Sequence, residues 1–330
     1  TYTVYTFDYR GSGYSSYNTK ITALADFASD FEKVITNIEG FPTSNVTIVG
    51  YSMGFAVALE MIIANPDRYS NIVGLAPIGT RGYKVGFNAT SAGTDSLGST
   101  YNNGDWVPIA NTAEGLEAIR FHQRSWQGEA RSYDTVAMIW DMLVINDTLD
   151  YNIATYAVGD DTFKNSVNYQ NQIADVLSIQ YMPESLYYCH TFNVSNTDVS
   201  NINTGSGGTV TVAGDGRLGT ILTNKNVMLV KATTDFVNWR GDQVVYDNYV
   251  ATTKYDLKQA GATVTAILID ADQSYDHGFP TIKPLETIKL LNTFISGNLS
   301  STTAASDLNA TIQYYDNNET TFETDTFTGL

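Results

Sequence analysis

The chain has 330 residues, of which 43% are hydrophobic and 16% are charged, and its formal net charge is −17 at pH 7. This much hydrophobic content excludes a mainly disordered chain, and the length suits one large domain or a domain that carries an insertion. The acidic balance argues against a nucleic-acid partner, because phosphate binding requires clustered Lys and Arg. The sequence contains no run of about 18 apolar residues, so it predicts no membrane span.

The first 80 residues alternate between strand and helix patterns. β-branched and aromatic residues at 3–8 predict a strand, and apolar residues at helical spacing predict a helix over 21–38. A short buried strand at 46–49, a helix over 55–64 and a further strand at 72–76 follow. Strands joined by helices require right-handed crossovers, so this order predicts an α/β fold with a mainly parallel sheet.

Residues 79–222 differ in composition from the segments on either side. Stretches rich in Gly, Ser, Asn and Thr surround predicted helices near 112–127, 133–146 and 164–180. A segment of this kind between two halves of one sheet is typical of an inserted, mainly helical cap.

The alternation of strands and helices returns after the insertion. Strands are predicted at 226–230 and 264–269, and helices at 244–259 and 282–295. The chain beyond residue 297 is rich in Thr, Asn and Asp, and this composition predicts a loosely ordered tail. The predicted organisation is a core of residues 1–78 and 223–297, an inserted cap of 79–222 and a polar tail of 298–330.

The turn Gly50-Tyr51-Ser52-Met53-Gly54 separates a predicted strand from a predicted helix. A serine on such a bend has its hydroxyl exposed above the strand ends, and small residues two positions before and after it avoid clashes. The N-terminus of the following helix directs its dipole and free N–H groups at the same point. We therefore predict Ser52 as a nucleophile and the backbone N–H of Met53 as an oxyanion donor.

A nucleophilic serine requires a base. The chain has three histidines, and His277 lies between the strand at 264–269 and the last helix of the core. Functional groups of parallel sheets occur at this carboxyl edge of the strands. His277 is therefore the predicted base, and His122 and His190, both in the predicted cap, are the alternatives.

The base in turn requires an acid that orients it. Asp235 follows the strand at 226–230 and is the predicted acid, with Asp242 as the alternative. The order Ser, Asp, His along the chain is the one expected when the serine lies on a strand-to-helix turn. This chemistry requires no metal ion and no organic cofactor.

Several stretches of the chain together carry a family resemblance: Thr6 to Ser15, Val46 to Gly54, Asn65 to Tyr69, Ile72 to Pro77, Asp235, and Asp276 to Gly278. They resemble the α/β-hydrolase superfamily, and within it the cap-bearing proline-iminopeptidase-like and tripeptidyl-aminopeptidase-like peptidases, esterases and related lipases. The resemblance covers residues 1–80 and 222–297 but not the cap. It implies an α/β-hydrolase fold and a serine hydrolase activity, without a substrate class.

The start of the chain departs from that family pattern. Relatives usually carry three further strands before the one at 3–8, together with a loop that supplies a second oxyanion donor. An open apolar sheet edge is rarely tolerated. We therefore expect the sequence to be part of a longer polypeptide, or another chain or subunit to complete the sheet edge near residues 3–8.

The cysteine of this chain is a further candidate for a functional side chain. Cys189 is the only cysteine, which excludes an internal disulfide and a multi-cysteine zinc site. We interpret it as a small buried apolar side chain rather than a thiol nucleophile or an intermolecular bridge.

The spacing of Asp270, Asp272, Ser274 and Asp276 resembles the start of a calcium loop. It lacks the glycine and the glutamate that such a loop requires, so we predict no metal there.

Seven Asn-x-Ser/Thr sequons are candidate glycosylation sites. Chance alone places several sequons in a chain so rich in Asn, Ser and Thr, so they give weak support for secretion. Together with the acidic, tyrosine-rich composition they favour an extracellular or acidic lumenal location. The candidates are Asn45, Asn88, Asn146, Asn193, Asn298, Asn309 and Asn318.

Two functions remain open from the sequence. The first is a serine hydrolase that acts on a small-molecule ester or on a peptide. The second is a non-catalytic hydrolase fold that serves as an extracellular structural, assembly or adhesion subunit, and the Gly/Ser-rich stretches and the polar tail favour it. The complete set of Ser52, Asp235 and His277 favours the enzyme.

Overall fold

The computed structural model describes most of the predicted core and small parts of the insertion. The described residues are 2–82, 86–88, 92–94, 100–101, 106–108, 185, 188–189, 192–203, 209–233, 235, 243–270, 275 and 277–323.

Eleven strands and six α-helices lie within the described residues. The strands are β1 (Val46–Tyr51), β2 (Tyr69–Leu75), β3 (Gly86–Asn88), β4 (Gly93–Thr94), β5 (Thr100–Tyr101), β6 (Trp106–Pro108), β7 (Val199–Asn203), β8 (Thr209–Val212), β9 (Asn226–Ala232), β10 (Thr263–Ile269) and β11 (Ile312–Tyr315). The helices are α1 (Leu24–Thr36), α2 (Met53–Ala64), α3 (Gln243–Gln259), α4 (Phe279–Ile282), α5 (Pro284–Ile295) and α6 (Ser301–Leu308), and a 3₁₀ turn spans Pro66–Arg68.

A five-stranded sheet in the order β1-β2-β9-β10-β11 forms the centre of the molecule. β1, β2, β9 and β10 are parallel, and only β11 runs antiparallel, against β10. The prediction of an α/β fold with a mainly parallel sheet is therefore confirmed. Because β1, β9 and β10 end at the same edge, the loops that follow them converge there.

Helices cover both faces of this sheet. In β9, Val227 and Leu229 belong to a core cluster shared with α1, α2 and α3, whereas Met228 and Val230 belong to a second cluster shared with α5 and α6. This alternation is the period of two that a strand imposes on its side chains. Since both faces are covered, the central strands are buried apolar runs, as the sequence indicated.

The prediction of a strand at residues 3–8 is wrong. Residues 2–9 belong to no strand, and instead they lie against α1 through aromatic contacts: the Phe7 ring stacks on Phe31 at 5.2 Å and the Tyr9 ring lies 4.7 Å from Phe27. A strand requires a hydrogen-bonded neighbour as well as a suitable side-chain pattern. No described strand is paired with this segment, and β1 forms the edge of the described sheet.

The prediction of a loosely ordered tail is wrong for residues 298–323. This segment contains α6 and β11, and the side chains of Ala304 and Leu308 on α6 are fully buried. The start of α6 is marked by a capping box of Ser300 and Thr303, in which Thr303 takes the place of the Glu or Gln of the usual sequence signature. β11 then pairs with β10, so the polar segment covers one edge of the sheet.

The described parts of the insertion form short antiparallel pairs, which are β3 with β6, β4 with β5 and β7 with β8. The predicted helices near 112–127, 133–146 and 164–180 lie outside the described residues. Where the insertion leaves the core, the buried guanidinium of Arg81 binds Asp256 on α3 through Nε–Oδ2 and Nη2–Oδ1 contacts of 2.9 and 2.7 Å. Nowhere in the described helices is there an apolar stretch long enough to cross a membrane.

Candidate active site

Ser52 lies on a strained bend between β1 and α2. Its backbone has φ 52° and ψ −122°, a conformation that costs a non-glycine residue about 1–3 kcal/mol. Three backbone hydrogen bonds fix the bend: Ser52 N–H donates to Leu75 O at 2.9 Å, and Ser52 O accepts from Phe55 and Ile78 N–H at 3.1 and 3.2 Å. The surrounding backbone therefore holds the strain, and the turn has the geometry expected from its sequence.

The small residues around the bend leave room for close packing. A Cβ on Gly50 would lie 2.4 Å from the Phe55 Cα, closer than any real contact, and a Cβ on Gly54 would lie 3.2 Å from the Tyr9 hydroxyl oxygen. The large Phe55 ring fits because Gly74 on β2 faces it, where a Cβ would lie 2.9 Å from the ring. Gly50 is thus a steric requirement of this turn, whereas a side chain at position 54 would only require a small shift of the Tyr9 hydroxyl.

The structure brings Ser52, His277 and Asp235 into one hydrogen-bonded series. His277 Nε2 lies 3.0 Å from Ser52 Oγ, and His277 Nδ1 lies 2.9 Å from Asp235 Oδ1. Asp235 follows β9 and is anchored by its own N–H, which donates to Ala232 O at 3.1 Å. Asp235 and His277 are 1% and 5% exposed, whereas Ser52 is half-buried and open to an incoming molecule.

This arrangement assigns the tautomer of the His277 imidazole. A carboxylate accepts only, so Asp235 favours the tautomer in which His277 Nδ1 carries the proton. His277 Nε2 is then an acceptor that faces the Ser52 hydroxyl, and Ser52 Oγ–H donates to it. Because the acid and the base are withdrawn from water, their electrostatic interaction is stronger than it would be at the surface.

Met53, the predicted oxyanion residue, is the first residue of α2. The first N–H groups of a helix have no acceptor within the helix, and the helix dipole makes this end electropositive. The Met53 N–H therefore lies next to Ser52 at the end of α2 that favours a developing negative charge.

The alternatives for base and acid, His122, His190 and Asp242, lie outside the described residues. Cys189 is buried, and burial raises the pKa of its thiol, which therefore stays protonated. A protonated buried thiol agrees with the interpretation of Cys189 as a small apolar side chain.

The calcium-like spacing gains no further support. The Asp270 carboxylate accepts a hydrogen bond from the Gln313 amide at 2.8 Å, while positions 272, 274 and 276 lie outside the described residues. Within the part of the chain that the structure describes, no three His, Cys, Asp or Glu side chains are grouped as metal ligands.

Asn193 has to be removed from the glycosylation candidates. It is 4% exposed, and its amide nitrogen donates to Thr197 O at 3.0 Å, so a glycan on that nitrogen has no room in this fold. Asn88 and Asn146 have no described side chain. The exposed sequon residues are Asn45, Asn298, Asn309 and Asn318.

Tyr51 contacts His277, and the sequence analysis did not identify this residue. Its hydroxyl donates to the backbone carbonyl of His277 at 2.9 Å, and the two rings lie 5.3 Å apart. The contact joins residues separated by 226 positions in the chain. No local pattern could have indicated it, although Tyr51 occupies the variable position directly before the nucleophile.

Part of the sequence and the fold are similar to those of known hydrolases. A sequence model of the serine aminopeptidase family S33 matches residues 1–94. A carboxylesterase structure from the ammonia-oxidizing thaumarchaeon Nitrososphaera gargenis is 12% identical, with a TM-score of 0.51 over 88% of this chain and 80% of that one. An esterase from Exiguobacterium antarcticum is 14% identical, with a TM-score of 0.49 over 88% and 80% of the two chains.

No curated protein matches the chain in sequence. The likeness to the Nitrososphaera gargenis structure is thus a likeness of fold, and the family match covers the segment that contains the Ser52 turn. The parallel sheet, the strand-to-helix serine turn and this likeness show that the chain has an α/β-hydrolase fold, and its first 94 residues are similar to the serine aminopeptidase family S33.

Proposed function

We propose that the protein is a serine hydrolase that cleaves an ester or amide bond through an acyl-enzyme. The observation that carries this proposal is the 3.0 Å separation of Ser52 Oγ and His277 Nε2, with Asp235 on the other nitrogen of the same ring. Nucleophile, base and orienting acid in hydrogen-bond sequence are the recurring geometry of this chemistry on unrelated folds.

The proposed reaction has two halves. Ser52 Oγ attacks the substrate carbonyl carbon while His277 Nε2 accepts the hydroxyl proton, and the Met53 N–H donates to the oxygen that becomes negative. His277 then returns the proton to the leaving alcohol or amine, which departs and leaves an ester on Ser52. A water molecule attacks that ester with the same base, the acid is released, and Ser52 regains its proton.

Asp235 does not give up or accept a proton in this scheme. Its carboxylate keeps the His277 ring in the orientation required by Ser52 and stabilises the imidazolium that forms in each half-reaction. Its burial matters, because water around the carboxylate would weaken both effects.

The substrate class is proposed at the level of the bond that is cleaved. The matched family model describes serine aminopeptidases, and the Nitrososphaera gargenis neighbour is a carboxylesterase, so both amides and esters are candidates. Small p-nitrophenyl esters and aminoacyl p-nitroanilides test these two classes with the same optical readout.

The test uses a fluorophosphonate probe, which labels activated serines covalently, on wild type and Ser52→Ala. We expect wild type to be labelled and to hydrolyse at least one substrate class, and Ser52→Ala to lose both properties. Ser296→Ala, which changes an exposed serine directly after the C-terminal end of α5, is the matched control and should react like wild type. A wild type that is neither labelled nor active would favour the non-catalytic alternative.

We also propose that a β-strand from outside this sequence pairs with the outer edge of β1. β1 is the edge strand of the described sheet, and Val49 on it is 44% exposed. An apolar edge strand with unpaired backbone groups is a site for strand addition.

Hydrogen exchange tests this pairing in the intact protein. If a further strand is present, the β1 amides that do not bond to β2 will be protected like those that do. Rapid exchange of alternate β1 amides would mean that the edge is open to water.

A further inference from the structure

We propose that Tyr51 is a positioning residue for the catalytic base, an inference that rests on the proposed function. The Tyr51 hydroxyl donates a 2.9 Å hydrogen bond to the His277 carbonyl oxygen, and the Tyr51 ring lies beside the imidazole with centroids 5.3 Å apart and planes tilted by 38°. Tyr51 thus contacts both the backbone and the ring of His277.

His277 is held at three separate points. Asp235 binds Nδ1, Ser52 binds Nε2, and Tyr51 binds the backbone carbonyl. The two ring contacts restrict rotation of the imidazole about its side-chain bonds. These two contacts do not restrict movement of the backbone segment that carries the ring. Within the described residues, the hydrogen bond from the Tyr51 hydroxyl links the main chain of His277 directly to the sheet.

Tyr51 is well placed for this role because it belongs to the rigid end of β1. It is the last residue of the strand and is in register with Leu75 of β2, and the next residue, Ser52, donates its N–H to Leu75 O at 2.9 Å. The nucleophile and the residue that holds the base are therefore consecutive in the chain. Any movement of the end of β1 moves Ser52 and Tyr51 together, and through Tyr51 it moves His277 as well. The distance from Ser52 Oγ to His277 Nε2 therefore stays constant.

The size of the expected effect follows from the kind of contact. A single neutral hydrogen bond contributes about 0.5–1.5 kcal/mol, which corresponds to about a 2- to 12-fold change in a rate if the contact is needed to keep the base in place. Misplacement of a catalytic group by about 1 Å costs up to about 100-fold. We therefore expect a loss of about tenfold in kcat when the hydroxyl is removed, with little change in KM, because Tyr51 is not a substrate contact.

The experiment compares Tyr51→Phe with Tyr17→Phe. Tyr17 also donates its hydroxyl to a backbone carbonyl, that of Gly13 at 3.0 Å, but on an exposed loop, so the control removes the same kind of bond elsewhere. For Tyr51→Phe we expect kcat and the rate of fluorophosphonate labelling to fall about tenfold while KM stays within about twofold. Tyr17→Phe should match wild type in all three quantities.

A second measurement does not depend on activity. The proton on His277 Nδ1, shared with Asp235, should give a low-field ¹H NMR signal that is lost in His277→Gln, and only three histidines have to be distinguished. In Tyr51→Phe this proton should exchange with water faster than in wild type, because the base moves more freely.

Unchanged kcat together with unchanged proton exchange in Tyr51→Phe would overturn the proposal. So would a tenfold rise in KM at constant kcat, since that result would make Tyr51 a substrate contact. If wild type shows no hydrolysis and no labelling, the proposed function fails, whereas the exchange of the His277 proton still decides whether Tyr51 positions the imidazole.

Discussion

At the scale of single residues, the site contains one residue in a strained backbone conformation and one charged side chain in a buried environment, and each of these is unfavourable by itself. Ser52 has a positive φ, and the Asp235 carboxylate is buried at 1% exposure. A positive φ is strained for any residue with a Cβ, and a buried carboxylate requires hydrogen bonds to compensate for lost water. The backbone bonds of Ser52 offset its strain, and the contact of His277 Nδ1 with Asp235 Oδ1 offsets part of the cost of burying that carboxylate, so both features accompany the alignment of Ser52 with His277.

Replacement of Asp235 by Asn tests the role of the acid. The amide carries no charge that could stabilise the imidazolium, and its NH2 group can donate to His277 Nδ1, which favours the wrong tautomer. We expect Asp235→Asn to lower kcat by about 10⁴-fold with a small change in KM, by analogy with other triads. Asp242→Asn, the sequence-level alternative, should retain most of the activity. Steady-state kinetics on the better of the two substrate classes checks both variants.

At the scale of elements, the C-terminal segment is joined to the core by a buried charge cluster. The fully buried ammonium of Lys254 on α3 lies 2.7 Å from the Glu323 carboxylate, and that of Lys258 lies 2.5 Å from the same oxygen. Lys254 also donates to Glu319 O at 2.6 Å. Partial burial alone would raise the pKa of Glu323, but the hydrogen bonds and charges of the two lysines outweigh it and lower that pKa.

This shift predicts a pH dependence of stability. Because the folded-state pKa of Glu323 lies below its unfolded value of about 4.3, the stabilisation is complete above that pH and is lost as the pH falls through the folded pKa. Glu323→Gln should lower the free energy of unfolding by about 2 kcal/mol at pH 7. The difference from wild type should shrink as the pH falls below about 4.

Denaturant unfolding between pH 7 and pH 3 measures this difference, with Glu39→Gln, an exposed carboxyl, as the control. A difference between wild type and Glu323→Gln that stays constant over the whole range would show that the charge of Glu323 contributes nothing.

At the scale of the whole molecule, the chain builds one sheet from two distant segments and brings its functional loops to one edge. β2 pairs directly with β9 although residues 76–225 separate them, and Arg81 and Asp256 form a buried ion pair where the insertion begins. Breaking a buried pair leaves an uncompensated charge, so this contact fixes the start of the insertion against α3. Because β1 and β2 are parallel, the chain enters the insertion from the same edge of the sheet that carries Ser52.

Much of this molecule follows from local patterns in its sequence. The periods of apolar residues predicted α1, α2, β2, β9 and β10 within a few residues, and the glycine-flanked turn predicted the bend at Ser52. These features are determined locally, because a strand or helix imposes its period on neighbouring residues and a tight bend imposes steric limits on its own flanks.

Contacts between distant segments required the tertiary structure. Residues 3–8 have a strand pattern but pair with none of the described strands, whereas residues 312–315, within a segment rich in Thr, Asn and Asp, form a strand because β10 offers an edge to pair with. Likewise, the hydrogen bond from Tyr51 to His277 joins the end of β1 to the turn before α4 and leaves no trace in either local sequence. Whether a segment pairs as a strand, and which distant residue a side chain contacts, depends on the segments that lie beside it in space. A local sequence pattern does not specify those neighbours.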